Sequence, residues 1–173
     1  GIVCVQFLSG TNAYAKVVAE IRNARTVVYT LITQSNNANG ETIKTDIAFK
    51  EPGHFRSTTV DGYIAIADFT SGKMISIVPQ SGYSIGDLNS LKSTGNAGPF
   101  ASIEAMKNLP AKADENLGIK EIDGITCDGY RVTQGDLTSM IWLDAKTGDL
   151  VQVEQKYTSA PGMNTIIKNI RFD

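Results

Sequence analysis

The chain is poor in residues that do chemistry. Its 173 residues include one histidine, two cysteines and one tryptophan. His54 is therefore the only side chain that could serve a Ser-His-Asp or Cys-His nucleophile system. It follows Pro52-Gly53 with no motif around it and reads as a turn or surface histidine. No HExxH, no Walker loop and no GxSxG occurs. Two cysteines without a nearby histidine do not make a zinc site. Basic runs are missing as well. The net charge is -2 with acids and bases interspersed, which leaves no stripe to neutralise a phosphate backbone and argues against nucleic acid as a partner. No run of eighteen apolar residues occurs, so no helical span is encoded in the sequence. The start at Gly rather than Met points to a processed or trimmed chain, consistent with an upstream signal peptide or membrane anchor. Cys4 and Cys127 have two readings: two small buried thiols, or one disulfide tying the amino-terminal segment to a sheet. Such a bond would close a long loop, worth up to about 4–5 kcal/mol in the chain-entropy model.

What the chain has in quantity is strand and turn. Its length suits one domain, residues 1–173, with a sizeable core. Ile2 to Leu8 reads as a short opening strand. After a Thr11-Asn12 cap, Tyr14, Val17, Val18 and Ile21 recur at i, i+3, i+4 and i+7, which predicts an amphipathic helix ending near Asn23. Thr26 to Ser35 is a strand and 36–40 is turn chemistry. Thr42 to Lys50 then alternates, with Ile43, Thr45, Ile47 and Phe49 on one side and Thr42, Lys44, Asp46 and Lys50 on the other. Two further strands surround the Asp61-Gly62 and Ser71-Gly72 turns, Tyr63 to Thr70 and Lys73 to Val78. From Gln80 to Gly98 the alternation lapses into Ser, Gly and Asn, read as a loop. Ala101 to Leu109 is a short helix with Ser102 as its cap and Ile103, Met106 and Leu109 on one face.

The second half is a chain of hairpins: Leu117 to Ile122, Tyr130 to Gln134, Ser139 to Asp144, Leu150 to Thr158 and Asn164 to Phe172. Hairpin-length connections build antiparallel neighbours, not parallel crossovers. The expectation is a mainly β, α+β domain: a curved antiparallel sheet of about ten or eleven strands forming an unclosed barrel. An amino-terminal helix and a mid-chain lid helix cover its inner side. The acid pairs Asp114/Glu115 and Glu121/Asp123 read as solvated charge, and no glycosidase-like carboxylate pair is supported. Arg56 reads as a solvated or cross-strand charge. Trp142 reads as core sooner than ligand contact, and Met74 and Met106 suit either role.

Two stretches carry a resemblance. PGHFRST followed by DGYIAIADFTSGKMISIVP, and LGIKEIDGITCDGYRV followed by TSMIWLDAKTGDLVQVE, resemble the LolA-like family of outer-membrane lipoprotein carriers. The likeness covers most of the chain. Where the family commonly has Pro shortly after the T-G turn, Gly148 is followed here by Asp149-Leu150. The family implies an unclosed β-barrel with a helical lid whose apolar concavity holds lipid acyl chains, in the periplasm or otherwise outside the cytoplasm, with or without a membrane tether. It implies no cofactor and no enzyme. The partners it implies are acyl chains or a lipoprotein, met by a monomer. Its sensor-type relatives, envelope-stress and anti-sigma regulators, imply instead a self-filled core and an envelope protein partner. On the carrier reading the cavity wall is Ile47, Phe49, Ile64, Ile66, Ile75, Ile77, Trp142, Val151 and Val153, with Met106 on the lid.

Overall fold

The computed structural model describes residues 10–35, 41–88, 98–160 and 162–173. The opening strand expected at Ile2 to Leu8 and Cys4, with its half of the expected disulfide, lie outside these residues. The elements are α1 (Gly10–Asn23), β1 (Thr26–Ser35), β2 (Thr42–Lys50), β3 (His54–Thr59), β4 (Ile64–Asp68), β5 (Lys73–Val78) and β6 (Gly82–Asp87). After them come α2 (Gly98–Lys107), β7 (Glu115–Ile122), β8 (Ile125–Gln134), β9 (Leu137–Asp144), β10 (Leu150–Tyr157) and β11 (Met163–Phe172). All eleven strands form one antiparallel sheet in the order β6-β5-β4-β3-β2-β1-β11-β10-β9-β8-β7. The first and last strands pair with each other, from Val27 opposite Phe172 to Ser35 opposite Met163, and the two meanders fan outward from that seam. The sheet does not close, so β6 and β7 are its edges.

Turn chemistry sets the hairpins. Asp123 and Gly124 both take positive φ, 50° and 81°, the twist that joins β7 to β8 through two residues. Three sequence expectations are corrected. β6 lies inside the expected 80–98 loop. It is an edge strand exposed on both sides, so no burial demanded an alternating pattern. Ser102 is buried within α2, which starts earlier, at Gly98, and so is not the cap. Likewise α1 starts at Gly10, ahead of the expected Thr11-Asn12 cap.

The helices cover one face, here the inner face. Tyr14, Val17, Val18 and Ile21 of α1, with Ile103, Met106 and Leu109 beside them, pack in one buried cluster with Val27, Tyr29, Leu31, Ile47, Tyr130, Ile141, Val153 and Ile167 of the sheet. The 3.6-residue spacing of α1 is satisfied by this stripe. The Tyr14 and Tyr130 rings lie 5.3 Å apart. Arg22 donates to the carbonyl of Leu109, and Lys107 donates to the carbonyl of Ala24 at 3.0 Å, which ties α2 and the segment after it to α1. Among the described residues no helix is long and apolar enough to cross a membrane.

Candidate functional site

Strand pairing sorts the ten expected wall residues onto two faces. Tyr29 faces Ile47, and Val27 faces Phe49, which faces Phe55. These belong to the inner face, as does Val153 in the row Leu31, Ile167, Val153, Ile141, Tyr130. Met106 is buried against the same cluster. The other six lie outside. Arg56 pairs with Ile66, then Ile75 and Ile85, and Thr58 pairs with Ile64, then Ile77 and Tyr83. Those rows alternate with the inner rows, so Ile64, Ile66, Ile75 and Ile77 point away from the helices. Trp142 and Val151 pack with Ile122 and Cys127 in a separate cluster, also outside. The expected single wall is thus divided, because a one-residue change of parity exchanges the faces of a strand, and in β4 and β5 the isoleucines stand on one side and Ala65, Ala67 and Met74 on the other.

The inner face itself has two parts. Beneath the helices it is filled by large, fully buried side chains. Toward β6 it changes character. The rows there run Phe55, Ala67, Met74, Gly86 and Ser57, Ala65, Ser76, Ser84. Ala65, Met74 and Ser76 are half-buried and Ser84 is exposed. Tyr63, on the same face, donates its hydroxyl to Ser76 Oγ at 3.0 Å. This stretch is an inner wall of mostly small side chains, with a thioether and four hydroxyls along it. No sequence signal marked it, since alanine, serine and glycine read as strand interruptions.

A buried polar row crosses the filled part: Thr165, Gln155, Ser139. Among the described residues Ser139 Oγ and both amide atoms of Gln155 have no hydrogen-bond partner. Unpartnered buried polar atoms cost on the order of 1–3 kcal/mol each, and such places take up ordered water or a ligand's polar group.

The outer face carries three further features. At the β7–β10 end Trp142 lies flat over Gly129: a Cβ built on Gly129 would meet the indole at 2.4 Å. Glu154 Oε1 accepts from Trp142 Nε1 at 3.1 Å, Lys120 Nζ at 3.1 Å and Gln152 Nε2 at 2.9 Å. Lys120 also stands over the indole, 4.8 Å from a ring centroid. Cys127 is fully buried below, and burial, then the Asp144 and Asp128 carboxylates, hold its thiol above the usual range, the opposite of an activated nucleophile. In the middle, a bulge between Val28 and Thr30 opposite β11 opens a depression of about 650 Å³ lined by Val28, Thr30, Asp46, Asn169 and Arg171. Asn169 Nδ2 donates to Thr30 Oγ1 at 3.4 Å, which donates to Asp46 at 2.9 Å. It is open, and Tyr29 and Ile170 line it as well. At the β4–β6 end the outer rows grow more exposed toward β6, from half-buried Ile64 and Ile77 at 36% to Ile85 at 67% and Tyr83 at 74%.

His54 opens β3 on the outer face, opposite Asp68 on one side and Lys50 on the other. Among the described residues no group of histidine, cysteine and carboxylates is arranged to hold a metal ion.

No protein-family model matches the chain, and no curated protein sequence matches it. Solved structures do. The lipoprotein LppX of Mycobacterium tuberculosis aligns over 92% of each chain at 13% identity with a TM-score of 0.56. LprF of Mycobacterium bovis aligns over 94% of this chain and 91% of its own at 14% identity, TM-score 0.54. A domain of the outer-membrane lipoprotein-sorting kind from Vibrio parahaemolyticus aligns over 94% and 93% at 13% identity, TM-score 0.42. The chain has the LolA-like fold: an unclosed barrel of eleven antiparallel strands with an amino-terminal and a mid-chain helix on its inner side. A fold shared at such identities does not carry function with it.

Proposed function

We propose that this chain is a non-catalytic binding module working outside the cytoplasm, which takes an apolar ligand (an acyl chain, free or attached to a protein) along the inner wall of β4–β6. The observation that carries this reading is the change of side-chain size along the inner face. Large buried residues fill the region under the helices, whereas Ala65, Ser76, Ser84 and Gly86 leave the wall near β6 shallow and half-covered. An acyl chain laid there gains about 0.8 kcal/mol for each CH₂ removed from water, with Met74 as an adaptable contact and the Tyr63, Ser76 and Ser84 hydroxyls for an ester or carboxyl end. Of the expected wall residues, Ile47, Phe49, Val153 and Met106 lie in the filled part of the inner face.

Titration with a fluorescent fatty acid tests the reading, alongside native mass spectrometry of protein recovered from lipid-containing cells. Saturable binding is expected, and Ala65→Trp, which fills the wall, should weaken it at least tenfold while circular dichroism stays unchanged. Saturable binding indifferent to Ala65→Trp would place the ligand elsewhere, and no binding at all would overturn the proposal. A second reading, an envelope sensor that meets a protein partner, is favoured by one separate observation: the bare isoleucine rows on the outer face.

A further inference from the structure

The seam between β1 and β11 is irregular at one place. Thr30 faces Lys168 and Val28 faces Arg171, so Asn169 and Ile170 together stand against the single residue Tyr29. Asn169 absorbs the surplus with a positive φ of 54°, a conformation that asparagine tolerates better than most side chains. The depression of about 650 Å³ lies at this bulge, and two opposite charges line it, Asp46 on β2 and Arg171 on β11. Thr30 donates to Asp46 Oδ1 at 2.9 Å, which holds that carboxylate in place. Both charged residues are exposed, and among the described residues neither is in an ion pair. Asp46 lies level with Thr30 and Arg171 level with Val28, on strands two apart. A strand spacing of about 4.8 Å and a rise of about 3.4 Å per residue set their Cα atoms ~12 Å apart. Lys44, two residues along β2, and Arg56, opposite Ala48 on β3, are also outside any ion pair among the described residues. The surroundings of the depression therefore lean positive.

We propose that the bulge depression binds an aminoalkyl phosphate of the phosphoethanolamine kind, with the phosphate on Arg171 and the ammonium on Asp46. The guanidinium fork matches two phosphate oxygens. The ammonium donates to the Asp46 oxygen that Thr30 leaves free. A lone anion satisfies Arg171 but faces the like charge of Asp46, and a lone cation has the reverse difficulty. A zwitterion with its charges a few bonds apart satisfies both. The separation of the two strands suits such a spacer better than an α-amino acid, whose charges sit on one carbon. The positive surroundings from Lys44 and Arg56 favour phosphate, which carries more negative charge than a carboxylate. Val28, 38% exposed, meets the methylenes of the spacer. A soluble aminoalkyl phosphate and a phospholipid headgroup share this chemistry. The site is on the outer face and does not depend on the inner-wall ligand.

The test is titration of the isotope-labelled intact chain with phosphoethanolamine, inorganic phosphate and ethanolamine, followed by amide chemical shifts. Phosphoethanolamine should give saturable shifts centred on Val28, Thr30, Asn169 and Arg171, and should bind at least fivefold more tightly than either half. Arg171→Gln should weaken it at least fivefold. Asp46→Asn separates the two charges: it should weaken phosphoethanolamine at least threefold and leave inorganic phosphate as tight as before or tighter. Both residues are exposed, so the variants should keep the fold, which circular dichroism checks, and both should leave the fatty-acid titration unchanged. Flotation with phosphatidylethanolamine vesicles against phosphatidylcholine vesicles identifies the source. Retention on the first that Arg171→Gln abolishes supports a lipid headgroup, and saturable shifts without retention support a soluble compound. No saturable shift, shifts centred elsewhere, inorganic phosphate binding as tightly as phosphoethanolamine, or indifference to Asp46→Asn overturns the proposal. None of these outcomes bears on the inner wall, so failure here is separable from failure of the ligand reading.

Discussion

The two ends of the sheet handle the same problem, an apolar outer face, in opposite ways. At the β7–β10 end one large aromatic does the covering. Trp142 lies on Gly129, its N–H is taken by Glu154, and Lys120 closes the other side of the indole. Cys127, Ile122 and Val151 are packed against it. At the β4–β6 end the outer apolar residues are isoleucines apart from Tyr83, and Ile85 and Tyr83 are largely exposed. A glycine opposite a tryptophan lets a strand cover itself, whereas a row of isoleucines of equal height cannot fold over its neighbours and stays partly exposed. The covered end is therefore self-sufficient, whereas the β4–β6 end keeps apolar side chains exposed among the described residues.

Truncation is the most severe way to break this contrast. Trp142→Ala removes a nearly fully buried indole and leaves the Glu154 carboxylate with one donor fewer. It should cost about 3 kcal/mol, or roughly 6–12 °C in melting temperature for a domain of this size, measured by thermal denaturation. Ile85→Ala, the counterpart at the bare end, should stay within about 0.5 kcal/mol. A loss at Ile85 comparable to that at Trp142 would mean that the bare rows are structural after all. The glycines give a gentler version of the same comparison. Gly129→Ala drives a methyl into the indole face and should cost about 1–3 kcal/mol, since neither the strand backbone nor the packed ring can move far. Gly86→Ala meets only the flexible Met74 Cε at 3.8 Å and should be neutral or slightly stabilising in chemical denaturation.

Much of the fold was legible because periodicity carries it. The Tyr14 to Ile21 stripe, the alternation of Thr42 to Lys50 and the hairpin turns of the second half each name an element and its buried side. β6 was not legible: Gly-Tyr-Ser-Ile-Gly-Asp buries neither face, and a strand exposed on both faces leaves no hydrophobic signature. The candidate site was legible only in kind. Ile64, Ile66, Ile75 and Ile77 were correctly singled out as apolar and strand-borne, but a strand that alternates with alanine and serine does not reveal which side faces the core. Usually the larger residues do; in β4 and β5 the alanines and serines face inward, because the inner wall there is shallow. Trp142 misled for a related reason. Its strand is apolar on both sides, and the sequence does not show that Gly129, thirteen positions away, is the seat for its ring.

The mildest perturbation asks whether the covered end is held from the inner side too. Tyr14 of α1 packs against the Tyr130 ring and donates its hydroxyl to the Pro110 carbonyl at 2.9 Å. Burial first, then the nearby Asp114 carboxylate, against the opposing pull of Arg22, push its hydroxyl from the ordinary 10.0 up to about 12. The phenol thus keeps its proton in the folded chain at pH values where the unfolded chain gives it up. The sign follows: the contribution is intact below pH 10 and is lost progressively as pH rises from about 10 to about 12. Tyr14→Phe keeps the ring, removes the donor and leaves the Pro110 carbonyl short of a partner. It should cost about 1 kcal/mol at neutral pH and flatten the alkaline limb of a denaturation series read by circular dichroism. Raising the pH on a protein altered only at Ile85 should reproduce the parent's alkaline limb, because the bare end has no part in clamping α1. If Tyr14→Phe leaves that limb as steep as before, the α1 clamp is not what titrates, and Tyr29, whose hydroxyl is also pushed up by burial, becomes the group to replace next.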